Sequence, residues 1–191
     1  MSNRLFNQVI TRKPKRNVFD LSHEVKMSTR MGKLVPILCE PVVPGDTFKV
    51  RSEIMMRFAP MLAPIMHRVN VYTHYFFVPN RLVWDEWETF ITGGPDGTSN
   101  PVYPRFKLSG AGTVNNGTLF DYLGFPAGQN LGTDYAFDAL PFRGYQTIYN
   151  EYYRDQNLET PINVSKVSGI MTAAIGTLNA TSGTSVVRSV S

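Results

Sequence analysis

The sequence contains three histidines, the residue type best suited to acid-base catalysis or metal binding near neutral pH. His67 and His74 are seven residues apart. On a continuous strand an odd spacing sends two side chains to opposite faces, so this pair cannot share a metal ion there. We interpret the histidines as packed or interfacial residues, and the sequence predicts no metal site and no cofactor.

Other residues with catalytic potential also lack suitable partners. Asp85, Glu86 and Glu88 do not present a matched acid and base across a cleft, and they are typical of the first turn of a helix. Cys39 lies in an apolar segment without a neighbouring cation, which favours a buried, inert thiol. The glycine-rich stretches GGPDG and SGAG lack the spacing of a phosphate loop. We therefore identify no catalytic residue and predict that the protein is not an enzyme.

The main charge cluster lies at the N-terminus. Five cations precede the first acidic residue, Asp20, and outnumber the formal net charge of +4, so the rest of the chain is close to neutral. They are Arg4, Arg12, Lys13, Lys15 and Arg16. Lysine and arginine neutralise phosphates without reading base sequence, and Pro14 favours an extended arm over a helix. We predict that residues 1–19 form a basic arm that binds nucleic acid; an ordinary solvated tail is the open alternative.

Composition and hydropathy limit where the protein resides. Charged residues make up 18% of the 191 residues, below the roughly 25% usual in soluble domains, which suggests that some surface is covered by something other than water. No run approaches the ~18 consecutive apolar residues of a membrane span, and no apolar signal segment follows the basic N-terminus. The sequence predicts an intracellular protein kept in the cytoplasm, without a membrane partner.

Two segments show the alternation of β-strands. From Phe48 to Phe58 apolar residues alternate with mostly polar ones, which predicts a strand with one buried and one wet face. The run RVNVYTHYFFV, residues 68–78, carries aromatic residues at both alternating positions and predicts a strand covered on both sides. Between them, FAPMLAPIM (residues 58–66) is uncharged and contains two prolines, which argue against a continuous strand or helix.

Two helices are predicted downstream. Asn80 can cap a helix near 80–92 that ends at Gly93-Gly94, and a second helix is predicted near 141–155. The residues expected to share one side of each helix are Val83, Trp84, Trp87 and Ile91 in the first and Phe142, Tyr145, Tyr149 and Tyr152 in the second. Residues 95–139 are rich in Gly, Pro and Asn and predict a long loop-dominated insertion with one helical turn around LFDYLGF.

Three long strings in this order carry a family resemblance. FDLSHEVKMSTRMGKLVPILCEPVVPGDTFKVRSE resembles the start of the major capsid protein of the gokushovirus branch of the Microviridae. FAPMLAPIMHRVNVYTHYFFVPNRLVWDEWETFITGG and LPFRGYQTIYNEYYRDQNL are similar to the same protein. Together the strings cover most of residues 19–160, and they are long enough to make the resemblance specific.

The resemblance implies a mainly β fold, an antiparallel viral jelly-roll barrel with long loop and helical insertions. Residues 46–58 and 68–79 would be barrel strands, and residues 58–66 a corner or a subunit contact. About three strands are counted up to Pro79 where eight are needed, so the barrel is expected to be incomplete and to expose sheet edges. The expected domains are the basic arm (1–19), the N-terminal part of the jelly-roll capsid domain (20–162) and a Ser/Thr/Gly-rich end (163–191).

The resemblance also implies a function in the virion. Sixty copies of the family's capsid subunit form an icosahedral shell around a circular single-stranded DNA genome. The partners expected for this chain are copies of itself, the DNA genome and other virion proteins, with assembly in the host cytoplasm. A stand-alone nucleic-acid-binding β-barrel module is the alternative. The residues predicted to lie at a subunit interface are Met61, Leu62, Ile65, Trp84, Trp87, Phe142 and Tyr145.

Overall fold

The computed structural model describes residues 12, 14–108, 113–131, 134–173, 180–181 and 184–185. All the helices and strands within these ranges lie from Asn80 onward. Residues 14–79 contain turns and bends but no helix and no hydrogen-bonded strand. The described chain therefore has two unlike parts, an open N-terminal part and a packed part that begins near residue 80.

The helices of the packed part are short. They are α1 (Asn80–Val83), α2 (Trp87–Thr92), α3 (Leu119–Tyr122) and α4 (Leu140–Ile148), which continues into a π-helix (Tyr149–Tyr153). The helix predicted near 80–92 is present but divided, because Trp84 has extended backbone angles between α1 and α2. The predicted stop is confirmed, since α2 is capped by Gly93 with a positive φ of 78°. A side chain there would meet the carbonyl oxygen of Gly97 at 2.9 Å, so glycine is required.

The strands form a small mixed sheet and a separate ribbon. The strands are β1 (Arg105–Leu108), β2 (Ala136–Asp138), β3 (Ile170–Ala173), β4 (Ala180–Thr181) and β5 (Thr184–Ser185). The sheet has the order β2-β1-β3, and Phe106 pairs with Phe137 antiparallel and with Met171 parallel. β4 and β5 pair antiparallel. The described sheet is therefore mixed, where the sequence predicted antiparallel pairing.

The two strands predicted at 46–58 and 68–79 are not formed as strands in this structure. No backbone hydrogen bond of the described chain involves residues 47–78, so neither segment has a neighbour to complete a ladder. The predicted alternation is nevertheless present. The apolar side chains at Phe48, Val50, Ile54, Met56 and Phe58 are 42–54% exposed, whereas those of Arg51 and Glu53 on the other face are 88% and 80% exposed. One face of this segment is therefore half-buried, and the other face is exposed to solvent.

Contacts between residues two apart show the same alternation. Arg51 and Glu53 form an ion pair of 3.2 Å, and the His74 ring lies 6.4 Å from that of Tyr72 and 6.2 Å from that of Phe76. Side chains at i and i+2 meet on one face of an extended chain but not on a helix. Both segments therefore have their side chains arranged as in a β-strand, but they lack backbone hydrogen bonds to a neighbouring strand.

The main core is a cluster of phenylalanine rings. The ring of Phe106 on β1 packs edge-on against Phe142 of α4 at 5.0 Å, and Phe120 of α3 lies 4.9 Å from Phe142. Phe125 and Phe137 complete the cluster at 4.9 Å from each other. The elements β1, α3 and β2 all come from residues 95–139, whose described residues are otherwise mostly loop, as the sequence predicted. The predicted helical turn at LFDYLGF is present as α3. The sequence did not predict that Phe106, Phe120, Phe125 and Phe137 would meet in the core, because their spacing is too irregular to show a period.

The burial of two tyrosines is expected to make the folded protein less stable at alkaline pH. Tyr103 is half-buried and Tyr145 is buried, and burial raises the pKa of each to about 12. An unfolded tyrosine ionises near pH 10, so between about pH 10 and 12 the unfolded chain binds fewer protons and stability falls as pH rises. Absorbance at 295 nm should show Tyr103 and Tyr145 titrating above pH 10, together with loss of circular dichroism. Ionisation of both tyrosines near pH 10 without unfolding would contradict this expectation.

Candidate subunit interface and nucleic-acid contacts

The basic arm is exposed where it is described. Arg12, Lys15 and Arg16 have exposed side chains, and neither ion pair found among the described residues involves them. Arg4 and Lys13 lie outside the described residues. The described cations are therefore accessible to phosphates, and their nucleic-acid role stays a prediction.

The uncharged segment between the two strand-like segments is also exposed. We call residues 58–66 the Pro/Met segment. Met61 and Ile65 are exposed, and Leu62, at 111% relative exposure, contacts almost nothing. Three of the predicted interface residues therefore lie in an apolar segment that the described chain leaves uncovered.

Three other predicted interface residues are core residues instead. Trp84, Phe142 and Tyr145 are 0%, 3% and 7% exposed, so their side chains are enclosed by their own chain. The predicted helix sides are only partly present, because Ile91 and Tyr152 are 58% and 69% exposed, and the buried residues of these sides pack inside the chain. We therefore reassign these residues from the subunit interface to the core.

Trp87 differs from its neighbour Trp84. The ring of Trp84 packs 4.9 Å from Phe90, and its Nε1 donates a hydrogen bond of 2.6 Å to Ser168 Oγ. Ser168 in turn donates to Glu86, so this carboxylate has a structural partner rather than a catalytic one. Trp87 is only half-buried and stacks on Phe90 at 6.1 Å. Trp87 keeps an accessible edge, and its interface role remains a proposal.

A buried arginine that no sequence motif indicated ties the helices to the sheet. Arg143 on α4 is buried. Its Nη1 donates to the Val83 carbonyl at 3.0 Å, and its Nη2 donates to the Val167 carbonyl at 2.8 Å. Burial lowers the pKa of the guanidinium, and Asp138 and Asp85 oppose that effect. In the sequence Arg143 is one polar residue among aromatic ones, with no local signal of its role.

An aromatic groove lies between the second strand-like segment and the π-helix. It has a volume of about 430 Å³ and is lined by His74, Tyr75, Phe76, Tyr152 and Tyr153. The Phe76 ring lies 4.9 Å from Tyr152 and 6.1 Å from Tyr153, and the His74 ring stacks on Tyr153 at 5.9 Å. Tyr153 also hydrogen-bonds His74 Nδ1. We call this surface the aromatic groove.

The π-helix positions the tyrosines of the groove. Sequence periodicity placed Tyr152 on one side with Phe142 and Tyr145, but Tyr152 is exposed. The helix widens after Ile148, so the period of 3.6 residues no longer applies. Asn150 fixes the turn through two hydrogen bonds of 2.8 Å to the backbone of Ile162. These hydrogen bonds therefore help to fix the π-helix that carries Tyr152 and Tyr153.

The described residues offer little for catalysis or metal binding. No three His, Cys, Asp or Glu side chains of the described chain are grouped to hold a metal ion. Cys39 is exposed, so the prediction of a buried thiol is wrong. Partial desolvation, followed by Asp138 and Glu40, raises its pKa, which favours the unreactive thiol form. None of the described helices is long and apolar enough to cross a membrane.

Comparison with known proteins gives consistent matches. The profile of the capsid protein (F protein) family matches residues 7–181. The chain is 39% identical to capsid protein VP1 of Chlamydia phage 1 over 172 residues, which are 86% of this chain and 28% of that protein. It is 34% identical to capsid protein VP1 of Bdellovibrio phage phiMH2K over 166 residues, 86% of this chain and 30% of that protein. It is 27% identical to capsid protein F of Enterobacteria phage phiK over 141 residues, 73% of this chain and 30% of that protein.

Together with the exposed apolar surfaces, these matches define a structural protein of a virus particle. The chain belongs to the capsid protein (F protein) family, and the resemblance to the capsid proteins of the Microviridae is confirmed. It spans 28–30% of the length of the relatives named above.

Proposed function

We propose that the chain acts in a major capsid subunit that assembles with its own copies into an icosahedral shell around a circular single-stranded DNA genome. Membership of the capsid protein family is the observation that carries the proposal. The role is structural and not enzymatic. The virion is the proposed location, with synthesis and assembly in the host cytoplasm and contacts to other virion proteins.

The finer fold proposal is that residues 46–58 and 68–79 become strands of an antiparallel jelly roll. Their alternating exposure and their contacts between residues two apart suit a sheet with one covered face. A hydrogen bond of 2.9 Å from Tyr75 to Ser52 already brings the two segments side by side. What they lack is a neighbouring strand for the backbone, which a longer capsid protein or another copy would supply.

Exposed apolar side chains support association. Leu62 and Met66 are 111% and 88% exposed. Large apolar side chains left uncovered in this way favour association over a soluble monomer.

Light scattering of the 191-residue chain at micromolar concentration tests the proposal. We expect self-association or poor solubility, because the apolar faces of residues 46–79 have no cover. Negative-stain microscopy of a capsid protein containing this chain should show closed particles. A compact monomer that unfolds cooperatively would contradict the proposal, and such a monomer that bound DNA would favour the stand-alone module.

The basic arm should contribute to the salt dependence of DNA binding. Five phosphate contacts would give a log–log slope of up to about −3.5, from about −0.7 per contact on single strands. Replacing Arg12, Lys13, Lys15 and Arg16 with alanine should therefore flatten the slope by up to about 2.8. Titrations with oligo(dT) between low and moderate salt measure it, and circular dichroism checks the fold.

A matched variant identifies the alternative DNA contact. Lys49, Arg51 and Arg57 lie on the wet face of the first strand-like segment. If replacing these three residues with alanine flattens the salt dependence of DNA binding and the arm variant does not, the arm has another role, such as contacting a neighbouring subunit.

A further inference from the structure

The aromatic groove and the Pro/Met segment are complementary surfaces that the described chain leaves unused. We propose that the groove of one copy receives the Pro/Met segment of a second copy. This inference rests on the proposed self-association and names the contact that contributes to it.

The character of the groove favours a protein occupant over nucleic acid. The side chains that line it are a histidine, three tyrosines and a phenylalanine, and the adjacent exposed side chain of Glu151 carries the wrong charge for a phosphate. The nearest arginine along the chain, Arg154, directs its Nη1 to the Glu159 carbonyl at 2.8 Å. Affinity for single-stranded DNA depends on cations beside the stacking rings. An uncharged segment is the better match.

The Pro/Met segment has the matching chemistry. Proline docks well in aromatic-lined grooves, and methionine makes favourable sulfur–aromatic contacts while adapting to irregular shapes. Pro60, Met61, Leu62, Pro64 and Met66 are all exposed, so docking requires no unfolding of a core. The groove volume of about 430 Å³ lies within the ~300–1,000 Å³ typical of clefts that hold ligands.

The Pro/Met segment of a copy lies away from that copy's own groove. Residues 68–78 contain no turn, and the eight residues from Met66 to His74 correspond to about 26 Å at about 3.3 Å per residue of extended chain. In this arrangement the Pro/Met segment that enters the groove comes from another copy. A contact between two different surfaces is heterologous, and such contacts generate rings when the rotation closes.

Two exposed substitutions test the contact. Tyr152→Ser removes a wall of the groove, and Leu62→Asp places a charge in the segment. Each should weaken self-association at least about tenfold in sedimentation velocity, without changing circular dichroism. The controls are Tyr135→Ser and Leu158→Asp, which alter exposed residues of similar character outside both surfaces. We expect the controls to associate like the wild type.

Mixing the two variants provides a second readout. A Leu62→Asp copy keeps an intact groove, and a Tyr152→Ser copy keeps an intact segment, so an equimolar mixture should regain pairwise association that neither variant shows alone. In a Cys39→Ser background, Leu62→Cys in one copy and Glu151→Cys in the other should be joined by a short bis-maleimide.

The outcomes separate the inference from the proposed function. A wild type that stays monomeric overturns self-association itself. A wild type that associates, with variants that associate equally well and no cross-link, overturns only the groove contact. If Tyr152→Ser weakens oligo(dT) binding and leaves association unchanged, the groove contact between copies is overturned. The groove would then be assigned to base stacking.

Discussion

Replacing Trp84 with alanine is expected to lower the free energy of unfolding by about 3–5 kcal/mol, the usual range for truncating a large buried aromatic side chain. Trp84 is fully buried, its ring lies 5.5 Å from that of Tyr103, and its Nε1 donates to Ser168. The substitution leaves a cavity, and a hydroxyl that has lost its donor, where the helices meet the approach to β3. Denaturant unfolding followed by circular dichroism measures the loss.

Trp87→Ala is the matched comparison, because Trp87 is the same residue type three positions away and is only half-buried. We expect it to change the free energy of unfolding by less than half as much as Trp84→Ala. If it acts at a subunit contact, its larger effect will be on assembly yield. Equal losses of stability for the two variants would show that Trp84 is not the anchor of this region.

Replacing Arg143 with methionine is expected to lower the free energy of unfolding by about 2–4 kcal/mol. Two effects oppose each other. Removing a buried cation relieves desolvation, but the carbonyls of Val83 and Val167 lose charge-assisted hydrogen bonds that contribute about 1.5–3 kcal/mol each. The loss of two bonded partners outweighs the relief, because methionine fills the space without supplying a donor.

The control for Arg143 is Arg105→Met, an exposed arginine on β1, which should leave stability within about 0.5 kcal/mol of the wild type. Arg143→Lys should recover little of the loss, because one ammonium cannot reproduce a planar fork that reaches two separate carbonyls. Unfolding by denaturant measures all three variants. A fully stable Arg143→Met would show that the two carbonyls find other donors.

Local patterns predicted local features well. The stop at Gly93, the helical turn at α3 and the alternation in residues 48–58 all depend on a few consecutive residues, and the structure shows each of them. The family resemblance, carried by long strings of sequence, was confirmed as well.

Features that depend on distant residues were not predictable in this way. The period of Trp84 and Phe142 indicates an apolar face but not whether that face meets its own chain or another, so their assignment to an interface was wrong. The phenylalanine core joins elements separated by irregular loops. The aromatic groove combines His74 and Phe76 with Tyr152 and Tyr153, and only the π-helix brings these residues together. A contact between such distant residues cannot be predicted from the pattern of any single segment.

The parallel pairing of β1 with β3 sets the order in which the chain can fold during translation. Arg105 pairs with Ile170, so the sheet cannot close until the ribosome has made β3. Residues 46–79 emerge roughly 90 residues earlier, which is about 5–18 s at about 5–20 residues per second. Throughout that interval their apolar faces are uncovered beside other nascent chains. Aggregation therefore competes with folding during that interval, before the packed part of the chain can form.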